Sequence, residues 1–169
     1  RAAQRSTEAD AVATAAATAS ASAATVATPE IIELARGLRN DPKLIYDYVH
    51  NHIDYVPYFG SLNGATLTLL DGSGNDFDQC SLMIALLRAS DFAAQYQYGT
   101  MTIPYANLQN WGGSISSWGT VFAYGGIPIT YISEPLSATL SRVWVKATIG
   151  GVDYLFDPAF KTYASTAKI

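Results

Sequence analysis

Hydrophobic positions along the chain fall into a few patterned blocks. Residues 29–39 place Ile31, Ile32, Leu34 and Leu38 on one stripe. Thr28 stands as N-cap and Pro29 as first helical residue, which predicts a helix to about Arg39. A second helix is predicted from Asp41-Pro42, with Leu44, Ile45, Tyr48, Val49 and Ile53 on one face. The third block differs. Asp71-Gly72-Ser73-Gly74-Asn75 is a glycine-rich turn that leads into a helix over 76–89, apolar on nearly every side. Such a helix is buried, so the rest of the domain is expected to wrap around it. Asp76 is read as its N-cap, with Gln79 reaching back in a capping box.

Beyond it the period shortens to two. Phe92 to Thr102 alternates Gln95 and Gln97 with Tyr96 and Tyr98, a strand of the main sheet. Arg142 to Ile149, a Gly150-Gly151 turn and Val152 to Phe156 predict a hairpin. In its first strand Val143, Val145 and Ala147 point one way, and Arg142, Trp144 and Lys146 the other. Asp157 follows the second strand and is expected to come back across from Arg142. Between strand and hairpin, Tyr105 to Trp111 and Ser117 to Tyr124 predict two short helices separated by Gly112-Gly113. Trp111 and Trp118 there either anchor a partner or fill the insertion's own core. Tyr55 to Gly60 is an aromatic-rich loop.

Residues 8–28 are low-complexity Ala/Ser/Thr, read as a linker or an N-terminal helix, which leaves 29–169 as one domain. The chain has 169 residues, a net charge of −4 and no basic stripe, which argues against nucleic-acid binding. No apolar run has the length of a membrane span, so no membrane insertion is expected. One cysteine rules out an internal disulfide and a multi-cysteine zinc site. His50 and His52, near the end of the second helix, are explained by the helix dipole, and Asp54 alone is thin support for a metal. Asp76 and Asp78 are explained as caps, since the further oxygen ligands of a calcium loop are missing. No cofactor is expected.

Three separated pieces resemble the transglutaminase-like superfamily, whose papain-like core sets a nucleophilic cysteine at the start of a buried helix. They are Leu86-Leu87-Arg88-Ala89, Arg142-Val143-Trp144-Val145-Lys146 and Phe156-Asp157-Pro158. The resemblance implies an α+β fold, a buried central helix packed on a small antiparallel sheet. It also implies which positions correspond to the catalytic triad. Counting back from Leu86-Leu87-Arg88, the nucleophile position falls on Asp76; the histidine position falls on Arg142, and only Asp157 keeps the family's residue. Cys80 lies one helical turn deeper.

An arginine stays protonated at any working pH and cannot shuttle a proton, so these positions predict an ion network rather than a triad. The expected function is a catalytically inactive module for protein interaction or architecture. The alternative is a cysteine peptidase or acyltransferase using Cys80. Gly74 to Gln79, Tyr98-Gly99-Thr100 and Asp157 to Lys161 most resemble domains of large bacterial surface proteins with YD repeats. That resemblance implies an extracytoplasmic location, with a protein partner or neighbouring domains of the same chain.

Overall fold

The computed structural model describes residues 23–111, 118–132 and 136–162. Most of the Ala/Ser/Thr-rich stretch therefore lies outside the described residues, as do Gly112, Gly113, Ser117 and the side chain of Trp118. The described chain is a mixed α+β fold. Helix α1 (Pro29–Gly37) and helix α2 (Pro42–His52) start as their sequences predict, each with a proline in the first turn. Asp41 caps α2 by accepting from the backbone N–H of Lys43 and Leu44. Thr28 holds the N-cap position of α1, but its side chain makes no capping bond.

A two-residue strand β1 (Asp54–Tyr55) leads through helix α3 (Gly64–Asp71) to strand β2 (Ser73–Gly74), which pairs with β1 in parallel. None of these three was expected. Eight residues, GATLTLLD, with two threonines and no apolar period, give little local helix signal; α3 forms because it packs on the next helix. Gly72 ends it in the left-handed conformation at φ 64°, which glycine adopts without strain.

Helix α4 (Asp76–Ala89) is the predicted central helix, and Cys80 and every residue from Leu82 to Leu87 are wholly buried. Its capping differs from the prediction. Asn75, not Asp76, is the N-cap, accepting from the backbone N–H of Asp78 at 2.9 Å. Gln79 does not close a capping box: its amide donates to the carbonyls of Gly74 and Asp54. Moving the cap one residue back frees both aspartate side chains to point elsewhere.

The sheet contains strand β3 (Ala93–Pro104), strand β5 (Ser137–Ile149) and strand β6 (Val152–Phe156), all antiparallel, as expected for the hairpin and its neighbour. β5 starts five residues earlier than predicted, and strand β4 (Ile129–Ile132), unforeseen, pairs with its first part. Between β3 and β4 lie helix α5 (Tyr105–Trp111) and helix α6 (Trp118–Tyr124), the insertion's two helices.

Two cores result, one on each face of β5. Val143, Val145 and Ala147 face α4, α1 and α2. Ala138 and Leu140 face the other way, into a cluster with Leu108, Trp111, Phe122 and Ile127. Trp111 thus belongs to the insertion's core. β3 takes one edge of β5, while β4 pairs with 137–140 and β6 with 145–149 on the other. A short unpaired interval is left between β4 and β6, and Arg142 sits in it. Among the described residues no helix is long and apolar enough to cross a membrane.

Candidate functional site

Arg142 is the hub of the interval between β4 and β6. Its Nε donates to Asp76 Oδ2 at 3.1 Å and its Nη2 to Asp157 Oδ1 at 2.8 Å. The guanidinium side chain is only 1% exposed, and Asp76 and Asp157 are 6% and 22% exposed. The three residues come from the first turn of α4, the middle of β5 and the residue after β6, so one cation ties together helix, strand and hairpin. The guanidinium lies over the ring of Trp111, with Cζ 4.5 Å from the ring centre. A cation on an indole face is attracted by the ring quadrupole, more so when dry.

Asp157 is held from three directions. Besides Arg142 it accepts from Trp144 Nε1 at 3.1 Å and from the backbone N–H of Phe160 at 3.1 Å, and the chain behind it is pinned by Trp111 Nε1 on the carbonyl of Ala159. Burial pushes the Asp76 carboxyl above the ordinary carboxylate range, with Arg142 pulling against it. For Arg142 burial works against the charge, but Asp157 and Asp76 outweigh it and raise the guanidinium above its usual value. Tyr55, partly buried beside them, is pushed well up by desolvation and then by Asp76.

Cys80 is on the same face of α4 as Asp76, one turn on, and wholly buried. Its Sγ points at the Val143 carbonyl, 3.6 Å away, in the interface between helix and sheet. Burial raises its thiol well above the ordinary value, and Asp157 and Asp76 raise it further. That is the opposite of what an activated thiolate needs. Neither of the chain's two histidines serves it. His50 stacks on Tyr46 and its Nδ1 donates to the Pro158 carbonyl at 3.3 Å; His52 stacks on Tyr48 and bonds to that residue's carbonyl. Among the described residues no three His, Cys, Asp or Glu side chains gather as a metal site.

Residues 27–151 match the sequence profile described as the transglutaminase-like superfamily, well over half of the chain. The chain belongs to the transglutaminase-like superfamily. The match includes Asp76, Cys80 and Arg142, while Asp157 lies beyond it, so Asp157 enters the cluster on geometry. No curated protein and no solved structure matches the chain. The fold agrees with a transglutaminase-like core: a buried helix set on an antiparallel sheet, its N-terminus aimed at the middle of one strand.

Several buried polar groups of this transglutaminase-like domain escaped the sequence reading. Asp78 does not cap its own helix. Its Oδ1 accepts from the backbone N–H of Leu62, Asn63 and Gly64, each at 3.1 Å, and from Ser61 Oγ at 3.2 Å; its other oxygen accepts from Tyr58. These amides open α3, so Asp78 caps a neighbouring helix rather than its own. Asn75 finishes the clamp by donating to the carbonyls of Tyr58 and Gly60. Lys161, 4% exposed, donates to the carbonyls of Val49 and Pro158 and to Gln79 Oε1 at 3.2, 2.7 and 2.9 Å. One signal was available for the first set: five polar or charged positions opening a helix with no solvent face must find partners inside. Nothing local distinguishes Lys161 from a surface lysine.

Proposed function

We propose that this domain is a catalytically inert transglutaminase-like module, serving protein interaction or architecture within a larger secreted or surface protein of the YD-repeat kind. The observation that carries the reading is the buried guanidinium of Arg142, bonded to Asp76 and Asp157 at the start of the central helix. A thiol hydrolase needs a thiolate, a base within reach and a group to orient that base. Here the position opposite the helix N-terminus holds a permanent cation, and the only thiol lies behind it against a backbone carbonyl. A Cys80 enzyme would require α4 to lift away from β5. The interaction role is supported by exposed aromatics, Phe59 and Tyr98, which flank Phe77 and are 46% and 61% exposed. An extracytoplasmic site is supported by the low share of charged residues, 14%.

The test is turnover. Purified protein is incubated with glutamine-containing peptides and a primary amine, and with peptide amides alone, beside its Cys80→Ala variant. No cross-linking or hydrolysis above that variant is expected. Turnover that Cys80→Ala abolishes would overturn the proposal.

A further inference from the structure

The face of β5 that bears Ala138, Leu140 and Arg142 is covered by the insertion only in its first half. Alternation carries Trp144 and Lys146 onto the same face, and among the described residues the cover stops there. Register adds their neighbours: Gln97 lies opposite Trp144, and Gln95 and Leu155 flank Lys146 on either side. Trp144, Lys146, Gln97 and Leu155 border an open groove of about 730 Å3, reaching to Asp153 and Asp157. A second depression of about 390 Å3 shares Lys146 and Asp153 and continues it towards Gln95.

The floor is built with some care. Trp144 lies across Gly99: a Cβ there would come within 2.5 Å of Cζ3 and 3.0 Å of Cη2, so only glycine allows the indole to rest on the backbone. Its Nε1 is fastened to Asp157. The ring is thus fixed in position beside the groove. Leu155, 67% exposed, extends the apolar surface.

We propose that this groove binds an uncharged oligosaccharide, one ring stacking on Trp144. Three observations select that class. Within the larger groove each charge already has an opposite partner, Lys146 Nζ lying 2.7 Å from Asp153 and Asp157 being bonded to Arg142, so no unpaired charge is left there to recognise an ion. β3, β5 and β6 bond their backbones to one another beneath the groove, so an extended peptide finds no free ladder on its floor. What remains is an indole and a leucine bordered by the amide of Gln97, an ammonium and a carboxylate. Such a set serves a ligand with apolar C–H faces and hydroxyl edges, because an indole face carries the negative side of its quadrupole and the rim both donates and accepts. The two joined depressions have room for more than one ring. This inference does not depend on whether Cys80 is inert.

The probes are four neutral hexasaccharides, of cellulose, starch, chitin and xylan type, titrated to millimolar concentration into the whole chain. The signals followed by NMR are the Trp144 indole N–H and the Gln97 side-chain amide. At least one sugar is expected to shift both resonances saturably. Trp144→Ala should weaken that binding about tenfold or more. Because Trp144 also holds Asp157, Gln97→Ala, at an exposed position, is the second variant and should weaken binding while leaving the melting temperature unchanged. The proposal is overturned if no sugar shifts these resonances, or if the reporter left in each variant, the Gln97 amide in Trp144→Ala and the Trp144 indole N–H in Gln97→Ala, still shifts at unchanged affinity. It is likewise overturned if an extended peptide, or a second copy of the chain on raising its concentration, moves them while the sugars do not.

Discussion

Arg142 Nη2 donates to Asp157 Oδ1 at 2.8 Å, joining the middle of β5 to the residue that leaves β6, while its Nε reaches Asp76 at the head of α4. A single cation therefore fixes the angle between the central helix and the hairpin. Burying three charges is costly in itself, and such a cluster contributes more to geometry than to net stability. Breaking it is another matter.

Replacing Arg142 by Met leaves Asp76 and Asp157 facing each other without a counter-charge. We expect a loss of about 3–5 kcal/mol in urea unfolding. Adding Asp76→Asn to that variant should recover a good part of the loss, since the amide needs no counter-ion. If Arg142→Met unfolds at the wild-type urea concentration, the cluster does not hold the fold.

Asp78 is wholly buried, and its role is to seat the loop of 58–64. Asp78→Ala removes the acceptor of three backbone N–H groups and two hydroxyls and should cost at least about 3 kcal/mol. Cleavage between Gly60 and Asn63 under limited proteolysis should accelerate in the same variant. An unchanged cleavage rate would show that the loop is held by something else.

His50 gives a pH signature. Burial and then the Lys161 ammonium lower its pKa below the ordinary 6.5, although its bond to Pro158 and nearby Asp157 oppose them. The unfolded chain thus binds this proton more readily than the folded one. Its contribution to stability is complete above pH 6.5 and is lost as pH falls through the window beneath it. An NMR titration should place the His50 midpoint below 6.5, and His50→Gln should flatten the fall of the urea midpoint through that window. A midpoint above 6.5 would reverse the sign.

Much of the scaffold was legible because its signals are local. Pro29, Pro42 and Asp41 mark helix starts; the uninterrupted apolar run from Leu82 to Leu87 marks a buried helix; Gly150-Gly151 marks a hairpin. The meeting of Arg142 with Asp76 and Asp157 followed from the positions that the family resemblance picked out and from the hairpin's return. What stayed hidden depends on tertiary partners. α3 is a helix only because α4 lies beneath it, and β4 exists only because β5 runs on past Arg142 to offer an edge. The aspartates of the first turn were read as caps of their own helix, whereas Asn75 takes that role and Asp78 serves α3. Capping rules give which residue types stand at a helix start, and they leave open which backbone a side chain will reach.

The buried centre is tested most directly by the reactivity of Cys80. Folded protein is treated with iodoacetamide near neutral pH and the adduct followed by mass spectrometry, with the fold monitored in parallel. With the thiol sealed between α4 and β5 and its pKa raised, alkylation should proceed only at the rate of unfolding and become complete only in denaturant. Stoichiometric labelling within minutes, while the protein remains fully folded, would mean an open and activated thiol and would contradict the account.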